Sequence, residues 1–136
     1  MKVWVMVKML FICVGNSGRS QMAEAFAKKL GAGKMVAESA GTKPSAFIDP
    51  TVAAVMKEIG YDLGGQHPKA LTMEMVDSAD RIFSMGCGAE EGTCPVTFVP
   101  SENWELEDPK DQPIEKVREI RDQIRRRIER LVADLP

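Results

Sequence analysis

The sequence predicts an α/β fold, a four-stranded parallel sheet with helices on both faces, and three observations carry the prediction. Short apolar runs alternate with amphipathic helical stretches along the chain. Glycine or proline punctuates most of the boundaries between them. The 136 residues, 44% hydrophobic and 28% charged, suit one soluble domain that buries its own core.

In chain order the elements read strand, helix, strand, helix, helix, strand, strand, helix. Lys8 to Ile12 lies within an apolar stretch and reads as a buried parallel strand. Ser20 to Leu30 places Met22, Ala23, Phe26, Ala27 and Leu30 on one helical face, and Gly31 ends it. Lys34 to Ala40 reads as the second strand, closed by Gly41. In "DPTVAAVMKEIG", Asp49 suits an N-cap, Pro50 the first helical turn, and Gly60 the end. Ala70 to Ala79 is a shorter helix with Thr72 near its start. "DRIFSMG" (Asp80 to Gly86) and "PVTFVP" (Pro95 to Pro100) read as strands three and four. An acidic, proline-containing loop, "SENWELEDPKDQP", leads to a charged helix from Ile114 to Ala133. Internal repeats and low-complexity segments are absent from the sequence.

A formal net charge of −2 gives no general pull toward nucleic acid or membrane. No stretch approaches the roughly 18 apolar residues of a membrane span. The apolar start, "MKVWVMVKMLFICVG", is interrupted by Lys8 and lacks a small-residue cleavage site, so a cytoplasmic protein is expected. Three widely spaced cysteines, Cys13, Cys87 and Cys94, argue against a secreted disulfide framework.

The chemistry concentrates in "CVGNSGRS". Cys13 ends the first strand, and Val14, Gly15, Asn16, Ser17 and Gly18 lead to Arg19 and Ser20 at a helix start. Backbone N–H groups in such a loop, with the helix dipole behind them, make an anion site. Arg19 adds a planar fork for two oxygens of a tetrahedral oxyanion. The same field favours a nucleophilic thiolate at Cys13. Asn16 and Ser17 are expected to hydrogen-bond across the loop. It is not a Walker loop, because no Lys-Ser/Thr pair follows the glycines. The bland alternative is a buried strand-end cysteine next to a surface arginine.

Attack on such a group needs a proton donor for the leaving oxygen. Asp108, rigidified by Pro109, is the candidate; Glu105, Glu107 and Asp111 compete with it, and all four suit solvated loop acids equally well. Cys87 and Cys94 stand seven apart in a glycine-bearing segment. That arrangement suits metal ligation, thiol–disulfide exchange or simple packing. Metal is the weaker option, since a C-x2-C clasp is lacking and His67 is the sole histidine.

These segments resemble the low-molecular-weight protein tyrosine phosphatase superfamily, and within it the thioredoxin-coupled arsenate reductases. The likeness runs from about Met9 to Leu135 and is carried by "CVGNSGRSQMAEA", "ESAGTKPSAFIDPTVAAVMKEIG", "DRIFSMGCGAEEGTCP" and "WELEDPKD". Gln21 after Ser20, Lys110 after Asp108-Pro109, and the Cys87/Cys94 pair favour the reductase branch. Gly18 departs from it, since those reductases usually carry cysteine there, which removes any pairing between two loop cysteines.

The resemblance implies a three-thiol relay. Cys13 attacks arsenate held by Arg19 and the loop, Asp108 protonates the departing oxygen, and Ser20 supports the thiolate. Cys87 then attacks Cys13 with release of arsenite, Cys94 moves the disulfide to Cys87–Cys94, and a thioredoxin-like donor reduces it. No cofactor is required, although some relatives hold a potassium ion, and Asn16, Glu24 and Ser39 match part of that site. Two other functions remain beside the relay: a phosphatase for phosphotyrosine or small phosphate esters, and a metal or arsenical sensor using the three thiols.

Other features read as structural. The arginines of the last helix alternate with acids around a stripe of Val117, Ile120, Ile124, Ile128 and Leu131, which suits a packed amphipathic helix rather than a nucleic-acid site. The nine methionines suit core filling. His67 shows no obvious partner, and Trp104 suits either a shield for the site or a core contact.

Overall fold

The computed structural model describes residues 6–86 and 99–135. Its elements are β1 (Val7–Cys13), α1 (Arg19–Leu30), β2 (Met35–Gly41), α2 (Pro50–Lys57), α3 (Met73–Ser78), β3 (Arg81–Ser84), β4 (Glu102–Asn103) and α4 (Ile114–Asp134). The strands form one parallel sheet in the order β2-β1-β3-β4. None of the described helices is long and apolar enough to cross a membrane.

The two-residue period of β1 sorts its side chains between two layers. Met9, Phe11 and Cys13 face the larger core, built with Met22, Phe26, Ile120, Ile124 and Ile128 from α1 and α4. Leu10 and Ile12 face a smaller cluster with Met75, Val76 and Ile82, on the α3 side. The strand is buried on both faces, which is why it reads as an unbroken apolar run. Trp104 lies in the larger core, its ring 5.0 Å from Phe83 and 5.9 Å from Phe11.

The local signals operate as expected at most ends. The Asp49 carboxylate accepts from the Thr51 amide ahead of Pro50, and the Thr72 hydroxyl accepts from the Met75 amide. Gly60, at φ +86°, follows α2 in the left-handed region. The last helix pairs Arg125 with Glu129 within itself, as its alternating charges suggest, while Arg118 and Arg121 pair outside it with Glu58.

Two assignments need correction. The helix expected over Ala70 to Ala79 is shorter, Met73–Ser78, because Gly41 and Ala70 form an isolated parallel bridge that holds the start of that segment extended. Among the described residues the fourth strand of the sheet is Glu102–Asn103, inside the stretch assigned to a loop, whereas that strand was expected over Pro95 to Pro100. Of that predicted strand, residues 95–98 lie outside the described residues, and Val99 and Pro100 carry no strand pairing.

The chain leaves β1 for β2 on one side and returns to β3 on the other. The carboxyl end of β1 is therefore a topological switch point, where open parallel sheets bind ligands.

Candidate active site

Cys13 occupies that switch point, 3% exposed. Residues 14–18 then curl over the end of the strand into the first turn of α1. The segment after β2 shapes this curl. The amides of Thr42, Lys43, Ser45 and Asp49 donate to the carbonyls of Cys13, Val14, Gly15 and Ser17, at 2.9–3.2 Å. The Gln21 side-chain amide donates to the Asn16 carbonyl at 2.9 Å. In a planar trans peptide the C=O and the following N–H point in opposite directions. Holding these carbonyls outward therefore turns the amides of Val14, Gly15, Asn16, Ser17 and Gly18 inward. The Asn16 amide already donates to the Cys13 sulfur at 3.1 Å.

Asn16 is the keystone of the loop. Its φ of +50° is left-handed, which asparagine tolerates better than most residues. Its side-chain amide donates to the Ser20 hydroxyl at 2.7 Å, and that hydroxyl meets the Cys13 sulfur at 2.8 Å. Its Oδ1 accepts from the Lys69 amide and the Gln21 side chain. Gln21 is itself held by Gln66, through a 2.7 Å bond to Oε1. Asn16 thus acts through its side chain, as expected, whereas Ser17 contributes its carbonyl to the Asp49 amide.

Arg19 is 5% exposed and reaches across the loop, its Nη1 donating to the Leu106 carbonyl at 2.7 Å. Its Nη2 lies 3.9 Å from Asp108 Oδ2. Asp108 is half exposed and its other oxygen accepts from the Lys110 amide. Cys13, Arg19 and Asp108 line one open cleft of about 760 Å³, rimmed by Lys43, Phe47 and Lys110. Gly18 packs beneath Pro109: a Cβ there would come within 3.1 Å of the proline Cγ and 3.5 Å of Val52, so a larger residue needs that wall to give.

Three of the five expected catalytic residues, Cys13, Arg19 and Asp108, therefore meet in one cleft. Cys87 and Cys94 lie outside the described residues. Of the competing acids, Asp111 also lines the cleft, while Glu107 pairs with Lys116. Sequence reasoning missed Gln21, Gln66, Lys69 and the 42–49 segment as parts of the cradle. Its only visible trace was the polar "GTKPS" after β2, since backbone donors leave no residue signature.

The donor set at Asn16, Glu24 and Ser39 does not suit a potassium ion as it stands. Asn16 Oδ1 already accepts two hydrogen bonds. The buried Glu24 carboxylate accepts from Ser39 at 2.6 Å, Lys28 at 2.6 Å and Lys69 at 3.5 Å. Burial pushes that carboxyl up, but the Lys28 and Ser39 hydrogen bonds and the two lysine charges outweigh it and hold it below its ordinary value.

The family model for low molecular weight phosphotyrosine protein phosphatase matches residues 8–136. A Synechocystis sp. protein named glutaredoxin arsenate reductase is 42% identical, covering 96% of this chain and 99% of its own. Arsenate reductase 1 of Bacillus cereus is 34% identical over 88% of this chain and 90% of its own. A solved arsenate reductase in the phosphate binding state superposes with a TM-score of 0.82 at 42% identity, covering 96% of this chain and all of that one.

Proposed function

We propose arsenate reduction on one premise: this chain belongs to the low molecular weight phosphotyrosine protein phosphatase family. The observation that carries the reading is the Cys13 sulfur accepting from the Asn16 amide inside a loop whose carbonyls are held by the 42–49 segment, with Arg19 and Asp108 opening on the same cleft. The names of the reductase relatives support the choice of oxyanion.

In this reading the inward amides and Arg19 hold the arsenate oxygens while the Cys13 thiolate attacks arsenic. An arsenic–sulfur bond forms, and one oxygen leaves as water with a proton from Asp108. The Cys87 thiolate then attacks the Cys13 sulfur. The sulfur–arsenic bond breaks with its electron pair going to arsenic, so As(V) becomes As(III) as two thiols become a disulfide. Cys94 attacks Cys87, frees Cys13 and leaves a Cys87–Cys94 disulfide for an external dithiol donor. Thioredoxin is the donor we favour, and the name of the Synechocystis relative puts glutaredoxin beside it.

A second reading, hydrolysis of phosphate monoesters, is favoured by the same cradle and acid, because a cysteinyl-phosphate needs no second thiol. Arsenate-dependent NADPH oxidation separates the two. It is measured with thioredoxin and its reductase, then with glutaredoxin, glutathione and glutathione reductase. Turnover by the wild type, lost in Cys87→Ser and in Cys94→Ser with p-nitrophenyl phosphate hydrolysis retained, is the expected result. No arsenate turnover with either donor, beside equal ester hydrolysis in all three proteins, makes the chain a phosphatase.

A further inference from the structure

Glu24 is a nearly inaccessible carboxylate, 3% exposed, that does not line the cleft of Cys13. Its two ammonium partners differ in kind. Lys28 sits one turn further along α1, its side chain 53% exposed and its ammonium 2.6 Å from Glu24 Oε2, an i,i+4 pair within one helix. Lys69 comes from the segment between α2 and α3 and grips two elements at once. Its backbone amide donates to Asn16 Oδ1 at 3.0 Å, and its ammonium lies 3.5 Å from Glu24 Oε1. Asn16 in turn fixes Ser20, and Ser20 meets the Cys13 sulfur. A single residue thus links the buried carboxylate to the nucleophile's cradle.

We infer that Lys69 is a positioning residue: its ammonium supplies a built-in cation to Glu24 while its backbone amide holds Asn16, so that the cradle forms without a monovalent metal ion. The inference goes beyond arsenate reduction. It requires only that Cys13 be the nucleophile, and it holds equally for ester hydrolysis. An open cavity of about 480 Å³, lined by Glu24, Lys28, Lys69 and His67, gives solvent ions a path to the carboxylate once the lysine is removed.

The test compares wild type with Lys69→Ala and Lys69→Met in potassium, sodium and choline chlorides at equal ionic strength. Thermal melting is one readout. The other is the rate of iodoacetamide alkylation in a Cys87→Ser/Cys94→Ser background, where Cys13 is the remaining thiol. Wild type is expected to melt and react alike in all three salts. Lys69→Ala is expected to melt several degrees lower in choline and to alkylate several-fold more slowly, with potassium restoring both. Lys69→Met, which fills the space without charge, should show the loss with weaker rescue. The inference is overturned if potassium stabilises the wild type, if Lys69→Ala matches wild type in choline, or if no cation restores the variant. Because neither readout involves arsenate or a reductant, this result is independent of whether the chain reduces arsenate.

Discussion

At the scale of the residue, the guanidinium of Arg19 is the part of the site most exposed to small errors of packing. It is fixed by the Leu106 carbonyl, and Gly86 presses against both groups. Gly86 has φ +129°, a region L side chains rarely adopt. A Cβ there would sit 2.8 Å from Arg19 Nη1 and 2.8 Å from the Leu106 oxygen. Gly86→Ala should therefore displace the arginine from its carbonyl and from the oxyanion. A hydrogen bond to a charged group is worth about 1.5–3 kcal/mol, so phosphate should inhibit the variant at least ~10-fold more weakly. Gly65→Ala, where a Cβ meets nothing within 4 Å, is the control and should inhibit as wild type does. An unchanged phosphate inhibition constant in Gly86→Ala would remove this role. The sequence marked Arg19 clearly, since an arginine six positions after a strand-end cysteine has few other uses. It marked Gly86 only as the end of a strand stretch, because the squeeze arises between elements far apart in the chain.

At the scale of the element, the carbonyls at the end of α2 show how a buried charge is used. Ala54 and Met56 find amides in the following turn, and Lys57 finds that of Gly60. The Val55 carbonyl is taken instead by the Arg121 guanidinium of α4, at 2.9 Å, and the same group reaches Glu58 at 3.1 Å. Arg121→Met leaves that carbonyl buried without its donor and should cost about 1–3 kcal/mol in urea unfolding. Arg118→Met removes only a 40%-exposed partner of the same Glu58 and should cost less than Arg121→Met does. Equal losses would mean that the ion pair, not the helix end, matters. The strands show the opposite lesson in legibility. β1 was readable because burial on both faces demands an unbroken apolar run. β4 was not, because two exposed edge residues carry no period to detect, and its lateral tie is the ion pair of Glu102 with Arg81 at 2.8 Å.

At the scale of the whole molecule, two carboxylates tie distant parts of the chain together and are expected to shape its response to acid. Glu24 ties α1 to β2 through Ser39 and to the 64–70 segment through Lys69. Glu58 ties the end of α2 to α4 through Arg118 and Arg121. The sequence exposed the alternation of strands and helices and the switch-point cysteine. These long-range pairs were hidden in it, because a charge reveals its partner only once the chain has folded. Both carboxyls are held below their ordinary value of 4.5, Glu24 by lysine and serine contacts that outweigh its burial, Glu58 chiefly by hydrogen bonds from Arg118. A carboxyl lowered in the folded state binds fewer protons there than in the unfolded chain. Its contribution is therefore complete above the unfolded value and is lost as the pH falls through the folded one. Urea midpoints should stay level from neutral pH down to about 5 and fall below that. Glu24→Gln should start from a lower midpoint at neutral pH, because Lys69 and Lys28 lose their counter-charge, and should fall less steeply in acid. A variant as acid-sensitive as wild type would show that protonation elsewhere governs unfolding, and would leave Glu24 a packing role alone.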